Sequence, residues 1–177
     1  MSALLIDAGN SRIKWRWQGR IQYCRYDDFT EQAWPEAEQV VLASVRQLPQ
    51  LEQWLRQRYG ELVVLHAPLR SYSSFVHCYA KPERLGVDRW LAMLGAAAIV
   101  PAANDRWLVI DAGTAPTDAM LARQPQQLLH QGGYIVPGLA LAQSALFNHA
   151  ERVCDDTDEV PATDFLPGTD TLGCVSA

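Results

Sequence analysis

Two segments of the chain repeat one pattern. Leu4-Leu5-Ile6-Asp7-Ala8-Gly9-Asn10-Ser11 and Leu108-Val109-Ile110-Asp111-Ala112-Gly113-Thr114-Ala115 both run from an apolar strand into Asp-Ala-Gly and then into small polar residues. Their aspartates lie 104 positions apart (111 − 7). That spacing is too long for a solenoid repeat but suits two copies of one domain-sized unit. In such a segment the strand holds its aspartate at the carboxyl end, where ligands of open α/β sheets collect. The glycine lets a ligand approach the backbone. The next residues add a hydroxyl or amide, and exposed backbone N–H groups form an anion-binding concavity. An aspartate beside a phosphate needs a cation between them, so Mg²⁺ or a monovalent ion is implied. Asp-x-Gly after a strand is, taken singly, often only a hairpin turn. Two copies with the same preceding strand and the same tripeptide weaken that reading.

Rival phosphate-binding signatures are missing. The chain has neither G-x-x-x-x-G-K-[ST] nor G-x-G-x-x-G, so P-loop and dinucleotide-fold chemistry are not indicated. Lys14 and Lys81 are the only lysines. An aspartyl-nucleophile phosphatase would want a second acid two residues after the first, where Gly9 and Gly113 stand.

Composition narrows the partners. The 177 residues are 49% apolar and 20% charged, ordinary globular usage for one domain or slightly more. Of the net charge of −5, the stretch 151–164 carries six acids against Arg152, and the remainder balances at 14 basic and 14 acidic residues. No basic stripe is present, so a nucleic-acid partner is not expected, and the acidic stretch reads as a solvated loop. Cys24, Cys78, Cys154 and Cys174 form no C-x-x-C pair, and His66, His77, His130 and His149 are equally scattered. A structural zinc site is therefore not expected. No apolar run approaches the ~20 residues needed to cross a bilayer. Met1–Asp7 has no basic region ahead of its apolar stretch, so the expectation is a soluble cytoplasmic protein without a membrane partner.

Periodicity supplies the elements. Ala3–Ile6 is an apolar strand; Ile13, Trp15 and Trp17 alternate with Lys14 and Arg16; Ile21–Tyr26 alternates again. This opening reads as a three-stranded meander. Val40–Val45 reads as a short buried strand and Leu62–Leu65 as the next strand, closed by Pro68; between them lies a helix carrying Leu48, Leu51, Trp54, Leu55 and Arg58 that ends at Gly60. A second helix is expected over Leu85–Val100, stopped by Pro101. Trp107–Ile110 is a strand leading into Asp111, Gly132–Gly138 looks like a strand with glycine at its entry, and Leu139–His149 is helical. The order implies α/β class, with mixed sheets and flanking helices. Asp88 falls in the first turn of its helix behind Gly86, where a carboxylate is stabilised by the helix dipole.

Four segments carry a family likeness: Asp7-Ala8-Gly9-Asn10-Ser11-Arg12-Ile13-Lys14, Tyr79-Ala80-Lys81-Pro82-Glu83-Arg84-Leu85-Gly86-Val87-Asp88-Arg89-Trp90, Asp111-Ala112-Gly113-Thr114-Ala115, and Gly132-Gly133-Tyr134-Ile135-Val136-Pro137-Gly138. Duplicated strand turns of this kind resemble the acetate kinase, sugar kinase, Hsp70 and actin superfamily. Within it the chain is most similar to type III pantothenate kinase, which phosphorylates pantothenate in the first step of coenzyme A synthesis. The resemblance implies a duplicated ribonuclease H-like (actin-like ATPase) fold, with an N-terminal domain over 1–100 and a partial C-terminal domain over 101–177, because family members continue further.

It implies ATP with Mg²⁺ and a monovalent cation (K⁺ or NH₄⁺), pantothenate as co-substrate, and a homodimer. Asp7, Ala8, Gly9, Asn10, Ser11, Arg12, Ile13 and Lys14 would form the first phosphate loop, and Thr114 would touch ATP. Tyr79, Gly86, Val87, Asp88 and Arg89 would line the pantothenate pocket, with Asp88 as general base. Asp111 would bind the monovalent cation, and Thr171 would reach pantothenate from the partner subunit. Pro116 stands where the family has a residue with an N–H, so the second hairpin is expected to be perturbed there unless it is an edge. A kinase of another small hydroxylated substrate, or a catalytically impaired relative acting by binding, are the alternative readings.

Overall fold

The computed structural model describes residues 3–68, 74–101 and 105–149, with the backbone alone at His149. Thr171, the acidic stretch 151–164, Cys154 and Cys174 lie outside the described residues. The chain forms two compact units: Met1–Asp111 with Asp118–Gly133, and Ala112–Thr117 with Tyr134–Ala177.

The first unit holds a five-stranded mixed sheet. β1 (Ala3–Ala8), β2 (Ile13–Trp17) and β3 (Arg20–Cys24) form the expected meander, and β4 (Gln39–Ser44) and β5 (Val63–Leu65) complete the order β3-β2-β1-β4-β5. β1 pairs antiparallel with β2, with Asp7 opposite Lys14, and parallel with β4, with Asp7 opposite Ala43. Alternation along β1 sends Leu4, Ile6 and Ala8 into one core with Ile13, Trp15, Val40 and Leu42. Helix α1 (Pro49–Tyr59) closes that face with Leu51 and Leu55. Proline begins this helix, where its missing N–H costs nothing, and Gly60 caps it at φ 77°. A six-residue 3-10 helix, Tyr26–Glu31, follows β3 and was not anticipated.

A four-stranded mixed sheet lies in the same unit, in the order β6-β9-β8-β7, from β6 (Phe75–Val76), β7 (Arg106–Asp111), β8 (Thr117–Gln124) and β9 (Gln127–Gly132). β9 runs antiparallel to β8 and parallel to β6. Helix α2 (Val87–Ile99) packs between the two sheets. Its Val87, Trp90 and Met93 share a core with Ala43 of β4 and with Ala119 and Leu121 of β8. The α/β class with mixed sheets and flanking helices is as expected.

Three local readings change. The stretch Gly132–Gly138 is no strand: β9 ends at Gly132, and beyond it Ile135 makes only an isolated bridge to Thr117. Polar side chains and Pro125 hid the β8–β9 hairpin, because its alternation is broken by Arg123, Gln124 and Gln127. Pro116 precedes the first residue of β8, so it removes no donor from within that strand, and its carbonyl accepts the Val136 N–H at 3.0 Å.

In the second unit, the Gly138 N–H donates to the Thr114 carbonyl at 3.1 Å, and helix α3 (Leu139–His149) starts immediately after. A Cβ on Gly138 would meet that carbonyl at 2.7 Å, which explains the glycine.

Candidate active site

Three carboxylates stand at element ends of the first unit, and the charges of two of them reach the third. Asp7 is near the carboxyl end of β1, Asp111 ends β7, and Asp88 lies in the first turn of α2, the helix lodged between the two sheets. Their fields overlap at Asp7. Burial pushes the Asp7 carboxyl above its ordinary range, Lys14 across the hairpin opposes the shift, and the charges of Asp88 and Asp111 add to it. A partly buried acid under the field of two others is a poor arrangement for stability and a good one for binding a cation or a cation-bearing ligand.

The loop after Asp7 is a tight turn. The Gly9 N–H donates to the Arg12 carbonyl at 3.2 Å. Ala8 and Ile13 have fully buried side chains, so they can meet a ligand only through their backbone. Asn10, Ser11, Arg12 and Lys14 are exposed. Arg12 stacks its guanidinium over the Tyr23 ring, 5.0 Å from the centroid.

Asp88 is aimed by its own helix. Its Oδ1 accepts the Arg89 N–H at 2.8 Å, which satisfies one of the orphan donors of the first turn. Gly86 precedes the helix at φ −58°, ψ 136°, a conformation open to any residue. Its lack of a side chain is a matter of space: a Cβ there would lie 2.4 Å from Asp88 Oδ1.

Arg89, 6% exposed, binds inward. One guanidinium nitrogen donates to the Tyr79 hydroxyl at 2.6 Å and the other to the Asp118 carbonyl at 2.6 Å. Its Nε has no partner among the described residues. Gly133 allows this: a Cβ at that position would stand 2.0 Å from the Asp118 carbonyl oxygen. Behind Tyr79, the His130 ring stacks at 6.0 Å between centroids, and His130 Nδ1 lies 3.7 Å from Cys78 Sγ. Burial, and then the charge of Arg89, push His130 below the usual imidazole range.

Thus Asp7, Asp88 and Asp111 share one electrostatic neighbourhood, and Tyr79 and Arg89 are hydrogen-bonded to each other. Val87 is a buried core side chain, available only through its backbone. Thr114 belongs to the second unit, and Thr171 lies outside the described residues. Asp118 and His130 were not anticipated. Asp118 acts through its carbonyl, which no side-chain pattern reveals. His130 stood among four scattered histidines with no sign of its burial.

Comparison with known proteins identifies the family. The family model described as type III pantothenate kinase matches residues 3–177. A type III pantothenate kinase of Dichelobacter nodosus is 34% identical, covering 98% of this chain and 73% of its own length. Those of Pseudoalteromonas translucida and Teredinibacter turnerae are each 34% identical, with 67% and 72% of their lengths covered. Among solved structures, a Campylobacter jejuni chain described as a Baf family transcriptional activator superposes with a TM-score of 0.58 at 23% identity, covering 98% of this chain and 71% of that one. That likeness speaks to the fold alone. With its model matched from strand β1 onward and relatives at this level of identity, the chain belongs to the type III pantothenate kinase family.

Proposed function

We propose that this chain transfers the γ-phosphoryl group of ATP to the primary hydroxyl of pantothenate, giving 4′-phosphopantothenate and ADP, the first step of coenzyme A biosynthesis. One observation carries the reading: a chain that matches this family's model over residues 3–177 holds Asp88 in the first turn of α2, its Oδ1 accepting the Arg89 N–H at 2.8 Å. Phosphoryl transfer asks a protein for alignment, neutralisation of charge and a group to take the hydroxyl proton.

Asp88 is that group. With Oδ1 held by the Arg89 N–H, Oδ2 is the oxygen that takes the proton. The pantothenate hydroxyl oxygen bonds to the γ-phosphorus, the bond from phosphorus to the β,γ-bridging oxygen breaks, and ADP leaves with that oxygen. Gly86 leaves room for the carboxylate, while Tyr79, Val87 and Arg89 shape the pocket around the substrate. The turn from Asp7 to Lys14 takes the polyphosphate, with Thr114 as a further ATP contact, and Thr171 is assigned to pantothenate from a partner subunit in a homodimer.

The acids also fit the family's cations. All are hard oxygen donors, and the mutual repulsion at Asp7 is what a bound cation would relieve. Mg²⁺ is usually bound through one or two carboxylates together with substrate phosphates and water. Asp7 would serve Mg²⁺ and Asp111 a monovalent cation such as K⁺ or NH₄⁺, and these ions supply charge neutralisation on the phosphates. No described helix is long and apolar enough to cross a membrane, and a cytoplasmic location follows from the reaction.

We divide the fold into an N-terminal ribonuclease H-like domain over 1–100 and a partial C-terminal one over 101–177. The consecutive order β3-β2-β1 in one sheet and β9-β8-β7 in the other supports a duplicated meander. The deciding experiment incubates the chain with pantothenate, MgATP and K⁺ and looks for phosphorylated pantothenate by mass spectrometry. Formation of 4′-phosphopantothenate in step with ADP supports the reading. ATP consumed only with another hydroxylated substrate, or no ATP consumed at all, overturns it.

A further inference from the structure

The turn after Asp7 is held from behind by side chains that lie far away in sequence. Three consecutive carbonyls, those of Ala8, Gly9 and Asn10, accept hydrogen bonds from three different donors: the Val45 N–H at 3.4 Å, the Tyr26 hydroxyl, and Arg46 Nη1 at 3.3 Å. The two side-chain donors also touch each other, with the Arg46 guanidinium carbon 5.0 Å from the Tyr26 ring centroid. Arg46 is anchored at its backbone by Ser44, 1% exposed, whose hydroxyl donates to the Arg46 carbonyl at 2.5 Å and accepts the Arg46 N–H at 3.3 Å. Burial pushes the Tyr26 phenol above its ordinary range, Arg46 opposing and Asp7 adding to the shift, so the hydroxyl keeps its proton and remains a donor at neutral pH.

The direction of these bonds has a consequence for the other side of the turn. In a planar trans peptide the C=O of one residue and the N–H of the next point opposite ways. Drawing the Gly9 and Asn10 carbonyls toward Tyr26 and Arg46 therefore turns the N–H groups of Asn10 and Ser11 away from them. Successive N–H groups turned to one side are what a backbone anion site consists of. The guanidinium of Arg46 is engaged by the Asn10 carbonyl and the Tyr26 ring, which suits it to holding the loop rather than to gripping a phosphate.

We propose that Tyr26 and Arg46 form a clamp that presets the Gly9-Asn10-Ser11 backbone for the polyphosphate of ATP, as positioning residues and not as ligands. The proposal rests on the reading of residues 7–14 as the phosphate loop. Binding to a turn already in shape avoids the ordering cost that a loose turn would carry.

The test is Tyr26→Phe, which removes one hydroxyl, leaves net charge unchanged and keeps the ring under Arg46. Two quantities are read on the full chain: amide hydrogen exchange without nucleotide at Gly9 and Val45, whose N–H groups are bonded within the held turn, and affinity for MgATP by calorimetry. The clamp predicts exchange at least about tenfold faster in the variant, MgATP affinity weakened about five- to twentyfold, and the pantothenate KM within about twofold. Arg46→Gln should reproduce both changes. In the double variant, the two effects should combine to less than their product, since each removes part of one device.

Unchanged exchange in Tyr26→Phe overturns the clamp whether or not nucleotide binds. Faster exchange with unaltered MgATP affinity overturns its role in positioning ATP. Failure of the unmodified chain to bind MgATP overturns the reading of the phosphate loop and the positioning role with it, while the exchange measurement still separates a held turn from a loose one.

Discussion

Arg89 donates to the Tyr79 hydroxyl at 2.6 Å across ten positions of sequence, tying the segment ahead of α2 to the helix's first turn. Because Arg89 is almost wholly buried, this bond is not exchangeable for one to water. In Tyr79→Phe a charged buried donor loses an acceptor, which costs ~1–3 kcal/mol. Urea unfolding should register that loss. Steady-state kinetics should show the pantothenate KM raised by roughly tenfold, with the ATP KM within about twofold. Equal rises in both would place Tyr79 outside the pantothenate pocket.

Gly86 and Asp88 make a paired prediction. A methyl group on residue 86 would sit 2.4 Å from Asp88 Oδ1, and the carboxylate can yield by rotating while the backbone stays as it is. Gly86→Ala is therefore expected to keep its stability within about 1 kcal/mol and to lose activity through displacement of the base. Asp88→Asn should fold and bind ATP but turn over ~10²–10⁴-fold more slowly. An Asp88→Asn variant with unchanged kcat would remove this residue from the proton transfer.

Gly133 meets backbone, where no such escape exists. The added carbon of Gly133→Ala would lie 2.0 Å from the Asp118 carbonyl oxygen and 2.8 Å from its carbon. Overpacking of this kind costs ~1–3 kcal/mol, and here it also disturbs the acceptor of Arg89. Gly113→Ala serves as the control for stability, since nothing lies within 4 Å of its would-be Cβ; its unfolding free energy should move by less than about 0.5 kcal/mol. Similar losses in the two variants would contradict the crowding at Gly133.

Asp7 sets a pH dependence. Its folded pKa stands above 3.8, its ordinary value. A raised carboxyl pKa means the folded state holds the proton more tightly, so stability from this group is full below 3.8 and is lost as pH rises through the folded pKa. At neutral pH the ionised Asp7 is therefore a liability to folding. Asp7→Asn should raise Tm at pH 7, and the advantage should shrink as pH is lowered through the acid range. Thermal melts between pH 7 and pH 4.5 would show it, and a constant difference across that range would contradict it. On the proposed function, the same variant should also lose MgATP affinity.

Much of the framework was legible in local pattern. The period-2 alternation of Ile13, Trp15 and Trp17 announces β2, and the apolar run before Asp7 announces β1. Proline and glycine mark the ends of α1, and Leu139–His149 is helical as read. The β8–β9 hairpin escaped because its strands are rich in Gln and Arg and lie half-buried, where apolar contrast is weak. Conversely, Tyr134–Val136 has the apolar composition of a strand but too few ladder partners to become one.

Local chemistry along the chain was enough to specify the two Asp-Ala-Gly turns, the acid at the head of α2 and the strands leading to each, since these depend on neighbours a few positions apart. The electrostatic influence of Asp88 and Asp111 on Asp7, the pairing of Arg89 with Tyr79 and the Asp118 carbonyl, and the hold of Tyr26 and Arg46 on the Gly9–Asn10 turn arise from packing α2 between two sheets and β4 beside β1. Contacts between residues tens of positions apart leave no periodic trace, because each is a by-product of burying apolar faces elsewhere. That burial, largely remote from the carboxylates themselves, is what sets the field at Asp7.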